Sequence, residues 1–167
     1  MYYLLFMNVK NNMVIDGKFT KLIYSDNYLI LNGLYLDMDI SIDENDPSVL
    51  SNSISQENNH RWKPDTSSYK HNLYFNKNEN LKMISDFYVL EKQILERFLK
   101  YNHEKKEPVY TLHNQLRNGC IKYYREHMVP ITNQHKKGYF LKISGIWETT
   151  NEIGITFKII EYITETV

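Results

Sequence analysis

The chain has 167 residues, 42% of them hydrophobic, enough for one buried core and too few for two ordinary domains. Its 20 basic and 20 acidic residues cancel, which excludes a global field that would steer an anionic polymer or hold a charged membrane surface, so any nucleic-acid site has to be local. A single cysteine, Cys120, excludes an intramolecular disulfide and a cysteine-based zinc site, and points to a reducing compartment.

Only Arg61, Arg97, Arg117 and Arg125 are arginine, so lysine has to carry any phosphate contacts. Alanine is absent altogether. Physics gives a globular domain no reason to avoid the best helix former, so the absence reads as codon bias in an AT-rich genome.

In chain order, Met1 to Val9 is apolar. It lacks a basic flank, a small-residue cleavage site and the roughly 20 apolar residues a bilayer span needs, so it is expected to be a first strand rather than a signal or membrane segment. Lys18 to Tyr24, the turn Ser25-Asp26-Asn27 and Tyr28 to Asn32 form a hairpin pattern that opens on Gly33. Leu34, Leu36, Met38, Ile40 and Ile42 then alternate with Tyr35, Asp37, Asp39 and Ser41, a strand with one face buried and one in water. Asp43 to Lys70 carries few large apolar residues beyond Val49, Leu50, Ile54 and Trp62. It is expected to be a long polar loop, open to early proteolysis because it lacks the apolar area to offset its ordering.

After a short strand at Leu73 to Phe75, Asn80 can cap a helix running to about Tyr101. Met83, Phe87, Leu90, Ile94, Phe98 and Tyr101 line one stripe of it, widened by Ile84, Tyr88, Leu95 and Leu99, as in a helix laid on a sheet. Glu91 falls inside that apolar half, where a carboxylate needs a partner from Lys, Tyr or a backbone amide. His103 to Pro108 breaks the pattern. Val109 to Arg117 and Cys120 to Arg125 flank Asn118-Gly119 and predict a second hairpin, followed by a loop from His127 to Gly138 whose end, His135-Lys136-Lys137-Gly138, is its most basic point. Gly138 to Trp147, the turn Glu148 to Ile153 and Gly154 to Ile163 close the chain as a third hairpin.

The whole, residues 1–167, reads as one β-rich α+β domain. Its expected core is Leu34, Leu36, Met38, Ile40, Ile42, Ile94, Phe98, Ile143, Trp147, Ile155, Phe157 and Ile159.

Catalytic chemistry finds little support. The six histidines stand at no metal-binding spacing, so no metal is expected. Cys120 with His113 or His127 lacks a third orienting group, and a lone strand cysteine behaves as a small hydrophobe. The scattered glycines form no phosphate loop, so neither a cofactor nor an enzyme is expected. Aromatic residues beside positive charge are the better signal: Lys122-Tyr123-Tyr124-Arg125, Lys136 through Lys142, Phe157-Lys158 and Arg61-Trp62-Lys63. Rings that stack on bases, with lysines along the backbone track, are how sequence-tolerant single-strand binders work. The same pattern also arises in ordinary strands whose lysines mark the solvated side and protect edges.

The C-terminal run KKGYFLKISGIWETTNEIGITFKIIEYI resembles the last two barrel strands of the oligonucleotide-binding-fold single-stranded DNA-binding proteins of large DNA viruses and tailed phages. LYFNKNENLKMISDFYVLEKQIL resembles the same family's strand and helix after a polar loop; together the two cover about half the chain. The resemblance implies an OB-like, partly open antiparallel barrel with one packed helix. It also implies a non-enzymatic protein that binds single-stranded nucleic acid in support of viral DNA replication, inside an infected cell's cytoplasm or nucleus and away from membranes. On this reading the binding residues are Lys122, Tyr124, Arg125, Lys136, Lys137, Lys142 and Lys158. The family's acidic tail with a terminal aromatic has no counterpart in Glu161 to Val167, so the resemblance does not carry recruitment through such a tail, and replication or virion proteins stay open as partners. The alternative is a small viral structural or interaction protein, such as a minor virion component, with Arg61-Trp62-Lys63-Pro64 as a contact.

Overall fold

A computed structural model describes residues 3–12, 17–42, 70–103, 105–125 and 135–165. Of the two expected loops, Asp43 to Lys70 and His127 to Gly138, residues 43–69 and 127–134 lie outside the described residues, as does the Arg61 to Pro64 contact, and Lys70 is the first residue of a strand.

The centre of the protein is the closing hairpin. β8 (His135–Glu148) and β9 (Glu152–Glu165) pair antiparallel along almost their whole length, so both are longer than the alternation alone implied and the turn shrinks to Thr149-Thr150-Asn151. Thr149 closes it: its N–H donates to the Glu152 carbonyl at 2.9 Å, and its Oγ1 accepts the Glu152 N–H at 3.1 Å. The basic stretch from His135 to Gly138 therefore belongs to β8 and not to a loop.

β2 (Gly17–Ser25) flanks the far half of β8, and β4 (Leu34–Asp37) flanks its near half. β6 (Glu107–Val109) and β7 (Cys120–Arg125) run parallel to β9 on the opposite side. β1 (Tyr3–Asn12) pairs outside β2, and β5 (Lys70–Tyr74) outside β7. The path is β1-β2-β8-β9-β7-β5, with β3 (Ile30–Leu31) returning beside β2. The expected antiparallel barrel is thus replaced by an open, mixed sheet that does not close: β1 and β5 end the path, and two of the pairings are parallel. The first hairpin forms with a later turn and a shorter return strand than read: β2 runs through Ser25, Asp26 to Leu29 make the turn, and only Ile30 and Leu31 pair back. Asp26 accepts the N–H groups of Tyr28 at 2.8 Å and Leu29 at 2.9 Å, an Asx turn that fixes the reversal.

Helix α1 (Leu81–Asn102) covers one face of the sheet with Met83, Ile84, Phe87, Ile94, Leu95 and Phe98, all buried. Ile94 and Phe98 are 2% and 1% exposed, each contributing roughly 1.5–3 kcal/mol by burial. Asn80 stands at the N-cap as expected, its carbonyl accepting the Ile84 N–H at 3.0 Å, but its side chain makes no capping hydrogen bond. Its side chain instead accepts the Ser41 N–H at 2.8 Å and donates to the carbonyls of Ser41 and Asn76, which ties the segment after β4 to the helix start. That segment keeps its in-and-out alternation through Ile42, although the ladder with β8 ends at Asp37 and a last bond from Met38 N–H to the Tyr139 carbonyl.

The expected hairpin at Asn118-Gly119 does not form. Thr111–Arg117 is a short helix, α2, because Leu112 and Leu116 stand four apart and are both fully buried, a helical rather than an alternating period. Gly119, at φ 68°, terminates the helix in the left-handed region, and β7 pairs with β5 and β9 instead.

Most of the expected core is present. Met38, Ile94, Phe98, Ile143, Ile155 and Ile159 are buried, with Leu34, Leu36, Ile40, Ile42 and Phe157 packed against them. Trp147 is the exception. An irregularity between Ile143 and Gly145 shifts the phase of β8 by one residue, so Ile146 and Glu148 take the buried positions and Trp147 turns to the opposite face.

Candidate functional site

Residues registered opposite one another share a sheet face, and successive residues alternate. Ile143, Leu141 and Tyr139 of β8 and Ile155, Ile159 and Glu161 of β9 are buried on the helix face. The intervening positions form the second face. On it lie Phe140 and Lys142 of β8, Lys158, Ile160 and Tyr162 of β9, Tyr35 and Asp37 of β4, and Lys122 and Tyr124 of β7. Among the described residues no helix covers this face.

Lys142 and Lys158 are direct cross-strand partners in the middle of this face. Two like charges so placed repel. Each is held by a tyrosine from the next strand outward: the Lys142 Nζ lies 5.0 Å from the Tyr35 ring centroid and the Lys158 Nζ 4.6 Å from that of Tyr124. The order across four neighbouring strands is therefore ring, ammonium, ammonium, ring. Lys122, two residues before Tyr124 and exposed, adds a third charge to the same face. A second like-charged pair, Glu107 and Glu152, sits at the other end of β9, where both residues are exposed to water.

The rings lie down where glycine makes room. A Cβ on Gly138 would collide with the Tyr162 ring, and one on Gly154 with the Trp147 indole. Tyr162 stacks on Phe140 with centroids 4.2 Å apart and 25° between planes, and donates its hydroxyl to Asp37 Oδ1 at 2.9 Å. That hydrogen bond raises the Tyr162 phenol above its ordinary range. The result is a half-exposed aromatic and lysine surface of about four strands that also holds the Asp37 carboxylate.

Comparison with protein-family models, curated proteins and solved structures finds no match.

Of the residues singled out in the sequence, Lys122, Tyr124, Lys142 and Lys158 share the open face. Lys137 does not: it falls on the strand phase of buried Tyr139 and Leu141, beyond their end, because consecutive strand residues alternate. Arg125 and Lys136 lie in β7 and β8, and their side chains are outside the described set. Tyr35, Phe140 and Tyr162 join the site through register with β4 and across the β8–β9 pair. Local composition carried a signal only for Phe140, inside the Lys136 to Lys142 run.

Two shallow clefts of about 450 and 330 Å³ flank α1 on the helix side. The first is lined by carboxylates, Asp37, Asp39, Glu79 and Asp86, and the second largely by Leu4, Leu34, Leu36, Leu90 and Ile94. No helix among the described residues is long and apolar enough to cross a membrane. Cys120 opens β7 opposite Tyr74 and is half-buried.

Proposed function

We propose that the open face of the sheet binds single-stranded nucleic acid without strong sequence preference. The observation that carries this reading is the opposed pair Lys142 and Lys158, flanked by Tyr35 and Tyr124. Lysines and tyrosines side by side on neighbouring strands offer phosphodiester a cationic track and offer the bases attached to it rings to stack on. Lys122, Lys142 and Lys158 serve as phosphate contacts, and Tyr124 and Tyr35 as stacking surfaces. A duplex buries its base faces in its own stack and offers only phosphates, so it loses the aromatic half of the interaction.

The resemblance to viral and phage single-stranded DNA-binding proteins supports a role in viral DNA replication, with an open mixed sheet in place of the family's barrel as the binding surface. Titration of fluorescent oligo-dT and of an equal-length duplex at low and moderate salt tests the function. The expected result is tighter binding to the single strand, with a log–log salt slope of about −2 for three neutralised phosphates at roughly −0.7 each. Equal binding to both forms, or none at micromolar protein in low salt, would overturn it.

A further inference from the structure

The two edges of the sheet differ. β5 is five residues long and reads Lys-His-Asn-Leu-Tyr, a short polar edge of the kind that resists pairing. β1 is ten residues long, and no other strand among the described residues lies on the side away from β2. From Tyr3 to Met7 it carries no charge and no proline, and its irregularity comes only after Met7. Its open-face residues before the irregularity are apolar and exposed, Leu5 at 43% and Met7 at 45%. Ile30, exposed at 74%, extends the patch, since Ser25 registers with Tyr3 on one side and with Ile30 on the other. A strand edge so lacking in protection is a template for another strand.

We propose that β1 is the self-association edge of this protein, and that its occupant is β1 of a second copy, paired antiparallel about a two-fold axis at Leu5. Antiparallel pairing of identical strands is isologous, so each contact occurs twice. Centring the axis on Leu5 sets Tyr3 against the partner's Met7, Leu4 against the partner's Phe6, and Leu5 against the partner's Leu5. Every pair is apolar, and Lys10 falls outside the segment. A bilayer does not fit this edge, because alternate β1 residues turn N–H and C=O groups away from β2 and lipid would leave them without hydrogen bonds. The two-fold axis stands perpendicular to the sheet, so both copies present their lysine and tyrosine faces to the same side.

Sedimentation of the full chain over a dilution series tests this, together with hydrogen exchange of the β1 amides. The expected result is a concentration-dependent species of twice 20.1 kDa, with β1 amides protected at high concentration and exchanging on dilution. Leu5→Lys should weaken association about tenfold or more. Met7→Lys repeats the test if Leu5→Lys fails to fold. A monomer at every concentration, a dimer without protection of β1, or a dimer undiminished in a folded lysine variant would each overturn the proposal. Oligonucleotide binding per protomer should survive in the variants, so failure of the edge and failure of the nucleic-acid reading remain distinguishable.

Discussion

Glu91 in α1 accepts the backbone N–H of His113 at 3.0 Å, across 22 residues of sequence, and takes the Leu112 N–H with its other oxygen at 3.1 Å. The carboxylate is fully buried, and its partners are the first amides of α2, which have no acceptor inside so short a helix. Burial pushes the Glu91 carboxyl above its ordinary 4.5, with the amides of His113, Leu112 and Thr111 pulling back. It docks one helix onto the other and is a structural group. Glu91→Ala leaves both donors without their acceptor and should cost about 2–6 kcal/mol, at roughly 1–3 per group. A denaturant midpoint unchanged from the parent would show that α2 does not depend on it.

The direction of that shift sets a pH dependence. A carboxyl with a raised folded pKa contributes stability that is fully present below 4.5 and lost as pH rises through the folded value. Glu91→Gln stays neutral and is spared this loss. Urea titrations at pH 4 to 7 should therefore show the Gln variant gaining on the parent as pH rises, and a constant difference would contradict the raised pKa.

His113 works in the opposite sense. Burial, then the charge of Arg117, lowers its pKa from 6.5, and its Nδ1 is buried without a hydrogen-bond partner while its ring packs 4.5 Å from that of Tyr88. Its contribution is present above 6.5 and lost as pH falls through the lowered folded value. His113→Gln should flatten the acid limb of the stability curve below 6.5. An acid limb of unchanged steepness would exclude His113 as its source.

The phase shift in β8 separates two residues that simple alternation places together. Ile143 is fully buried, while Trp147 lies half-buried on the open face above Gly154. Ile143→Asp buries an unpaired charge and should unfold the domain, whereas Trp147→Asp should leave it folded. Circular dichroism on the pair decides it. Equal damage from both would mean that Trp147 belongs to the core after all.

How much of this was legible in the sequence depended on the range of the contact. The β8–β9 hairpin and α1 announce themselves through periodicities of two and of three to four, which are local. α2 did not, because Asn118-Gly119 closes a helix and turns a hairpin with the same chemistry, and only the burial of Leu112 and Leu116 chooses between them. The irregularity after Ile143 left no mark that alternation could read. For the candidate site, the lysine and tyrosine clusters of β7, β8 and β9 were visible as neighbours in sequence. Tyr35 was not, nor was the bond from Tyr162 to Asp37, which spans 125 residues and exists only through register.

The opposed lysines allow stability and binding to be driven in opposite directions. Lys142→Glu removes a like-charge pair and creates an attractive one with Lys158, two gains of about 0.2–1 kcal/mol each, against the loss of one cation–π contact with Tyr35 of about 0.5–1 at an exposed site. The expected net is a modest rise in stability, seen as a higher Tm at low salt that fades as salt screens the pair. The same change places a carboxylate where a phosphate should sit, so single-strand affinity should collapse and the remaining salt slope should flatten. Tyr124→Ala, by contrast, should weaken binding by about 1–3 kcal/mol through lost stacking and leave the slope near its parent value. A Lys142→Glu variant that is stabilised yet binds oligo-dT as tightly as the parent would remove this face from consideration as the nucleic-acid site.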